Sequence, residues 1–189
     1  RLLREKCTVE IIYMTSGKLS EKKIREQELK NVCTQLNVRF HIIGGVARDK
    51  LFGSEKIAQV IKNLNPSIIF MPFILDDNED HRKTHNQLII ALKGLSNKNK
   101  INNIKIWSYQ IYGPIIVNKV IDISNVINHK KKLIKLYKSQ FKSRDWEHYT
   151  TGMNAWNSRF LSNRNKVWAE CFFVQSMKDY KNFYYEIFR

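Results

Sequence analysis

At 189 residues the chain has the length of one domain and enough side chains for a real core. Hydrophobic residues at 43% and aromatics at 12% exclude a disordered chain, and no apolar run approaches the ~20 residues that cross a bilayer. Thirty-three Lys and Arg against seventeen Asp and Glu leave a formal net charge of +16, which suits an anionic partner. The charge is dispersed: only Lys130-Lys131-Lys132 is dense, and frequent Lys, Asn and Ile also fit an AT-rich coding bias. Cys7, Cys33 and Cys171 show no CxxC spacing, so neither a disulfide framework nor a zinc knuckle is implied, and a reducing compartment is the simpler reading.

In chain order, Arg1 to Lys6 reads as the end of an amphipathic helix, and Cys7 to Thr15 as a strand closed by Ser16-Gly17. A helix is expected from Ser20 to about Leu36, with Ile24, Leu29, Val32, Cys33 and Leu36 on its apolar face. Val38 to Ile43 reads as a second strand turning at Gly44-Gly45; the remaining glycines of a dinucleotide fingerprint are absent. Ser54 to Leu64 reads as a helix that Asn65-Pro66 stops.

The stretch from Ser67 to Leu92 organises the chain. An apolar run of about eight residues, rich in Ile and Phe, predicts a strand buried on both faces. It breaks into four carboxylates within five positions, Asp76, Asp77, Glu79 and Asp80, and then into a helical pattern carrying His81, His85, Leu88, Ile89 and Leu92. Ligands of open α/β sheets bind beyond the carboxyl ends of such strands. A helix dipole favours acids at its start by ~0.3–1 kcal/mol each, which accounts for one or two of the four. Carboxylates beside imidazole are what a divalent metal or a proton-transfer site requires. His81 also has a bland reading as a helix-surface histidine beside capping acids. His85, one turn on, reads either as the second half of an i,i+4 metal clasp or as a packing or supporting residue.

Beyond this corner, Asn97 to Asn103 reads as a polar loop, Ile104 to Tyr112 as an alternating strand, and Val117 to Ile123 as an extended segment. Ser124 is the expected N-cap of a helix to about Ser143, with Ile127, Leu133, Ile134, Tyr137 and Phe141 inward. Asp145 to Asn165 reads as a loop and a short helix rich in aromatics, either lid packing or a stacking platform. Val167 to Gln175 reads as a last strand or a buried segment. Strands alternating with helices predict an α/β fold with a mostly parallel sheet.

These residues carry a resemblance. Val9 to Gly17, Arg25-Glu-Gln-Glu28 leading into Leu36-Asn37-Val38, Asp76 to Arg82, Asp122-Ile123-Ser124, Lys132, Ser139-Gln140 and Ala169-Glu170-Cys171-Phe172 fall in the order of the landmarks of the LmbE/PIG-L family. The family consists of zinc-dependent N-acetylglucosaminyl de-N-acetylases. The resemblance implies a Rossmann-like three-layer α/β sandwich forming a single domain over residues 1–189, lacking its N-terminal strand. It also implies one Zn2+ per chain, or another divalent metal, and removal of an N-acetyl group from an N-acetylhexosamine in a glycoconjugate or glycolipid precursor. By the same resemblance His81 is a metal ligand, and Asp80 and Asn78 are the catalytic candidates; Arg25, in the Arg-x-x-Glu landmark, and Trp146, in the aromatic stretch, are the candidate substrate-binding residues.

Two departures stand out. The family's His-Pro-Asp-Asp-Glu motif, which supplies two ligands and the base, is absent from this chain and is expected just upstream of Arg1; residues 1–189 by themselves are expected to be inactive. Asn78 stands where many members place a histidine, and an asparagine donates a hydrogen bond but transfers no proton. The expected setting is cytoplasmic, peripheral at an anionic membrane surface. A non-catalytic relative that binds a sugar or a partner is the alternative, and a basic nucleic-acid-binding domain ranks last, having no recognition motif.

Overall fold

The computed structural model describes residues 1–43, 53–95, 101–142, 144–163, 165 and 167–188. The Gly44-Gly45 turn and most of the loop expected from Asn97 lie outside the described residues.

Among the described residues, six strands and six α-helices follow one another, alternating except at β4-β5 and α4-α5. They are β1 (Glu10–Tyr13), α1 (Lys22–Leu36), β2 (Arg39–Ile42), α2 (Ser54–Leu64), β3 (Ile68–Pro72), α3 (Glu79–Lys93), β4 (Lys105–Tyr109), β5 (Lys119–Asp122), α4 (Ile127–Ile134), α5 (Trp146–Asn157), β6 (Ala169–Ser176) and α6 (Met177–Ile187). β1 and β2 pair in parallel, with Ile11 beside Phe40 and Tyr13 beside Ile42. The larger sheet has the order β3-β4-β6-β5. Within it β3 and β4 run parallel, with Ile69 beside Ile106, whereas β4 and β6 run antiparallel, with Trp107 beside Val174. The α/β class expected from the sequence is the class observed; the parallel character holds for β1-β2 and β3-β4 and is interrupted at β6.

By contact density the chain divides into two units, Arg1–Ile42 with Val120–Glu170, and Ile43–Lys119 with Cys171–Arg189. In the first unit, α1 buries Leu29, Val32 and Cys33, three of the five residues expected inward, whereas Ile24 is exposed. In the second, Met71, Phe73, Ile74, Leu88, Ile106 and Tyr180 are among the buried side chains. The run in β3 is buried toward its carboxyl end rather than throughout: Phe70 is exposed, its ring set against Trp107 and Phe172.

Helix ends follow local chemistry. α1 closes on Asn37 in the left-handed region (φ 53°), with Val38 N–H donating to Cys33 O and Asn37 N–H to Thr34 O. This pair of bonds is the Schellman arrangement. Arg1 to Glu5 form helical turns that end the same way. Lys6 is left-handed (φ 59°), Cys7 N–H donates to Leu2 O and Lys6 N–H to Leu3 O. The helix-end reading of this segment agrees with that cap. α2 spans the expected residues and stops at left-handed Asn65 before Pro66.

One expected helix is broken. α4 ends at Ile134, and Lys138–Lys142 is a separate 3-10 turn. The cause is Glu28, which is buried and accepts both the Ser139 N–H and its hydroxyl at 2.7 Å. That carboxylate takes the N–H a continuing helix would give to the carbonyl four residues back. Ser124 does not cap a helix; its Oγ accepts from Trp168 N–H. Among the described residues, no helix is long and apolar enough to cross a membrane.

Candidate functional site

The corner after β3 is built around one buried carboxylate. Asp76 Oδ1 accepts the Asn78 N–H (3.0 Å) and lies 2.8 Å from His81 Nδ1, while Oδ2 accepts the Tyr112 N–H (3.3 Å). A buried carboxylate with three such partners holds the ring proton of a neutral His81 on Nδ1 and leaves the lone pair on Nε2. The Tyr112 ring stacks on the imidazole, 5.8 Å between centroids and 11° between planes. Burial and then the Asp76 charge push the neighbouring Tyr109 hydroxyl up to about 12. Asp76 is the hub of the corner. Tyr112 was not singled out in the sequence at all; its place in β4's sequel, beyond the strand adjacent to β3, was the available signal.

Asn78 starts α3. Its Oδ1 accepts from Asp80 N–H (2.9 Å) and His81 N–H (3.4 Å), the N-cap geometry. Its oxygen is thereby committed to the helix and its amide NH2 remains as a donor. Arg82 donates to the carbonyls of Asp76 (3.3 Å) and Asp77 (3.0 Å), fastening the approach to the helix. Asp80 Oδ1 is buried with no hydrogen-bond partner. His85 is fully buried, with Nδ1 2.9 Å from the Tyr180 hydroxyl. Burial first, then the nearby His81, lower its pKa to about 4, so it is neutral at physiological pH.

Asp80, Asn78 and His81 thus share the first turn of α3, all within reach of the Asp76 corner. An orphaned carboxylate oxygen and an imidazole with a directed lone pair are donors that suit a divalent cation. Among the described residues, no group of three or more His, Cys, Asp and Glu side chains is placed to hold one.

The other two candidates belong to the first unit and meet at Gln140. The Arg25 guanidinium pairs with Glu21 (2.7 Å), and with the Gln140 amide in the orientation that satisfies its neighbours, Gln140 Oε1 accepts from Arg25 Nε (3.0 Å) and Nη2 (3.1 Å). Trp146 Nε1 donates to the Gln140 carbonyl (3.0 Å). Gly17 makes room for this arrangement. It is left-handed (φ 74°), and a Cβ there would meet the Arg25 guanidinium at 2.6 Å. The Arg-x-x-Glu and Ser-Gln landmarks are therefore one assembly: Arg25 on Gln140, and Glu28 on Ser139. A third pair of landmarks also joins, although through Lys130 and not Lys132. Lys130 Nζ donates to Glu170 and to Asn154 Oδ1.

The family model PIG-L, GlcNAc-PI de-N-acetylase, matches residues 1–92. No curated protein matches the chain. Among solved structures, the N,N'-diacetylchitobiose deacetylase from Pyrococcus horikoshii, complexed with its inhibitor MPG, superposes with a TM-score of 0.71 at 17% identity, over 95% of this chain and 77% of its own. The conserved protein TT1542 from Thermus thermophilus gives 0.70 at 20% identity, over 91% and 83%. GalB, the 4-carboxy-2-hydroxymuconate hydratase from Pseudomonas putida, gives 0.68 at 13% identity, over 91% and 85%. The same fold therefore carries a deacetylase and a hydratase, and the fold alone selects neither. The PIG-L family model thus matches residues 1–92, and the chain as a whole shares the fold of the chitobiose deacetylase, TT1542 and GalB.

Proposed function

We propose that the protein is a metal-dependent amide hydrolase that removes the acetyl group from an N-acetylhexosamine carried by a glycoconjugate or glycolipid precursor. The observation that carries this reading is the contact of buried Asp76 with His81 Nδ1 at the carboxyl end of β3, which leaves Nε2 to bind a cation. A carboxylate behind a ligating imidazole fixes its tautomer and raises its basicity. The PIG-L match over residues 1–92 includes this corner.

His81 would be the ligand contributed by these residues to one Zn2+ per chain, or to a similar divalent ion, with the remaining ligands outside the described residues. When bound, such an ion supplies a Lewis acid and lowers the pKa of its water. The chain's own groups orient the ligand and the substrate, and the base that takes the water's proton would come, like the remaining ligands, from outside the described residues. Asp76 orients His81; Asn78, with its oxygen held by the helix, offers its NH2 to the acetamide oxygen. Asp80, with one oxygen unpartnered, holds charge beside the amine that leaves. Arg25 and Trp146, tied together through Gln140, would bind the sugar's hydroxyls and its face. The free thiols of Cys7 and Cys33 suit action in the cytoplasm.

The test is elemental analysis together with acetate release. Protein that carries the remaining ligands as well is expected to hold about one ion per chain, as a site of this type requires. His81→Ala is expected to lose metal and activity together. Unchanged metal stoichiometry in that variant removes His81 from the ligand set.

A second reading has its own observation. Asn78 stands where the family pattern places a proton-transferring histidine, and its oxygen is consumed by the cap. A relative that binds an N-acetylated sugar without cleaving it would show saturable sugar binding, no acetate release, and no recovery of activity in Asn78→His.

A further inference from the structure

Helix α5 is turned inside out. Its buried residues are Thr151, Asn154 and Asn157, all polar. Asn154 is 1% exposed and fully engaged, with Nδ2 donating to Ala169 O (3.0 Å) and Oδ1 accepting from Lys130. Thr151 Oγ1 donates to Glu147 O (2.7 Å). On the opposite side, Tyr149, Met153, Trp156 and Phe160 recur at intervals of four, three and four residues, the spacing of one helix face. Tyr149 is 59% exposed, Trp156 67% and Phe160 48%. A helix that stops at the protein surface normally buries the apolar stripe and shows the polar one. The hydrophobic effect disfavours three large rings in water, and an exposed apolar stripe of this kind marks an interaction surface.

The charges on the element are arranged to one side of the question. Asp145 is used as the N-cap, accepting His148 N–H (3.0 Å), and Glu147 is paired with Lys135 (2.7 Å). Arg144 and Arg159, both exposed, lie just before and just after the helix. The Arg159 guanidinium lies 4.1 Å from the Trp156 ring centroid and 4.2 Å from that of Phe160. The exposed Arg144 lies 5.8 Å from the Trp146 ring. Trp and Tyr, with an apolar body and a polar tip, together with arginine, are the composition that settles at the headgroup level of a bilayer. A helix with rings on one face and cations at its margin lies in that plane, held by buried apolar area and by attraction to anionic lipid. The chain's +16 adds long-range attraction of the same sign.

We infer that the outward face of α5 and the turn that follows it, Tyr149, Met153, Trp156, Arg159 and Phe160, is a docking surface for an anionic phospholipid membrane. The inference does not rest on the hydrolase reading, because the lipid surface needs no amino sugar and no metal.

The experiment is co-sedimentation of the intact protein with phosphatidylcholine vesicles with and without phosphatidylserine, at about 150 mM salt so that the diffuse charge of the chain is screened. The parent is expected to pellet with the serine-lipid vesicles and much less with pure phosphatidylcholine. Trp156→Ala/Phe160→Ala is expected to lower the partition coefficient by about tenfold or more, the effect of withholding two rings from the interface. Arg159→Gln is expected to reduce the dependence on serine lipid and to leave the weak phosphatidylcholine binding in place. As a second readout, lipids brominated on the acyl chains should quench tryptophan emission in the parent and markedly less in Trp156→Phe, a change too small to unfold an exposed site. Equal partition of parent and double variant, or quenching that ignores Trp156, overturns the inference in favour of unspecific attraction by +16. Absence of vesicle binding, with an oligomer that the double variant abolishes in sedimentation velocity, overturns it in favour of a second copy of the chain.

Discussion

Helices α3 and α5 begin alike and end as opposites. Each is capped by an Asx side chain, Asn78 accepting from Asp80 and His81, and Asp145 accepting from His148. From there α3 turns His85, Leu88, Ile89, Ala91 and Leu92 inward, while α5 turns Thr151, Asn154 and Asn157 inward and shows its rings to solvent. The cap fixes where a helix starts; it carries no information about which face the protein will bury. In α3 the first turn serves the Asp76 corner and the later turns anchor it. In α5 the polar face does the anchoring through hydrogen bonds, which frees the apolar face for another use. Stability in these two helices therefore resides in different chemistry, packing in one and hydrogen bonding in the other.

Three measurements separate the two cases. The largest effect is expected at Leu88, which is 4% exposed on the inward side of α3. Leu88→Ala should cost about 2–5 kcal/mol in urea unfolding, the range for a buried leucine truncated to alanine. A cost near zero would mean that α3 is not anchored by its apolar face.

The second effect is pH-dependent and belongs to α3 alone. His85 is neutral when folded, its pKa lowered to about 4 from the ordinary 6.5 by burial and then by His81. Below 6.5 the unfolded chain takes up a proton that the folded chain refuses, so stability falls as pH drops from about 6.5 to about 4 and levels off below. Two to three pKa units at 1.36 kcal/mol each give roughly 3 kcal/mol over that window. The comparison is with His85→Gln, whose unfolding free energy should be flatter between these pH values. Equal slopes in the two proteins would assign the acid sensitivity to the carboxylates instead.

The smallest effect is expected on α5. Trp156→Ala should change the unfolding free energy by no more than about 0.5 kcal/mol, the scatter of surface substitutions, although it removes the largest side chain in the chain's repertoire. A loss comparable to that at Leu88 would show that the ring is structural and would break the contrast.

These helices also show what could be read before the structure. β3 and α3 were legible because an apolar run followed by acids and a 3.6-residue period has few other solutions. α2 was legible to the residue, since Asn65-Pro66 permits no continuation. His81 as a metal ligand and Asn78 as a catalytic group were expected from the resemblance, whereas the role of Asn78 as the N-cap of α3 was not read from the sequence. Asp76 was not legible as the hub, because its importance comes from Tyr112, which is 36 positions away in sequence. The break at Lys135 was illegible for the same reason. Its cause, Glu28, is 111 positions from Ser139, and a window of helical periodicity contains no trace of it. The burial of α5 by its polar face ran against the pattern rule itself. Lys130 carries the only signal that bore on it, a cation in a dense run which the fold consumes on Glu170 and Asn154 rather than displaying it.

Gly17 has a consequence for how this chain can change over time. Its left-handed backbone and the 2.6 Å approach of the Arg25 guanidinium to the place of a side chain make the two positions a single unit of inheritance. A residue larger than glycine at position 17 would strain the turn and push the guanidinium off Gln140, so such a replacement is tolerable only in a background where position 25 has already become shorter. In a set of related sequences the two columns should vary jointly, and a lineage that lost the glycine first would be driven to relinquish the arginine, and with it the tie between Arg25 and Trp146 through Gln140.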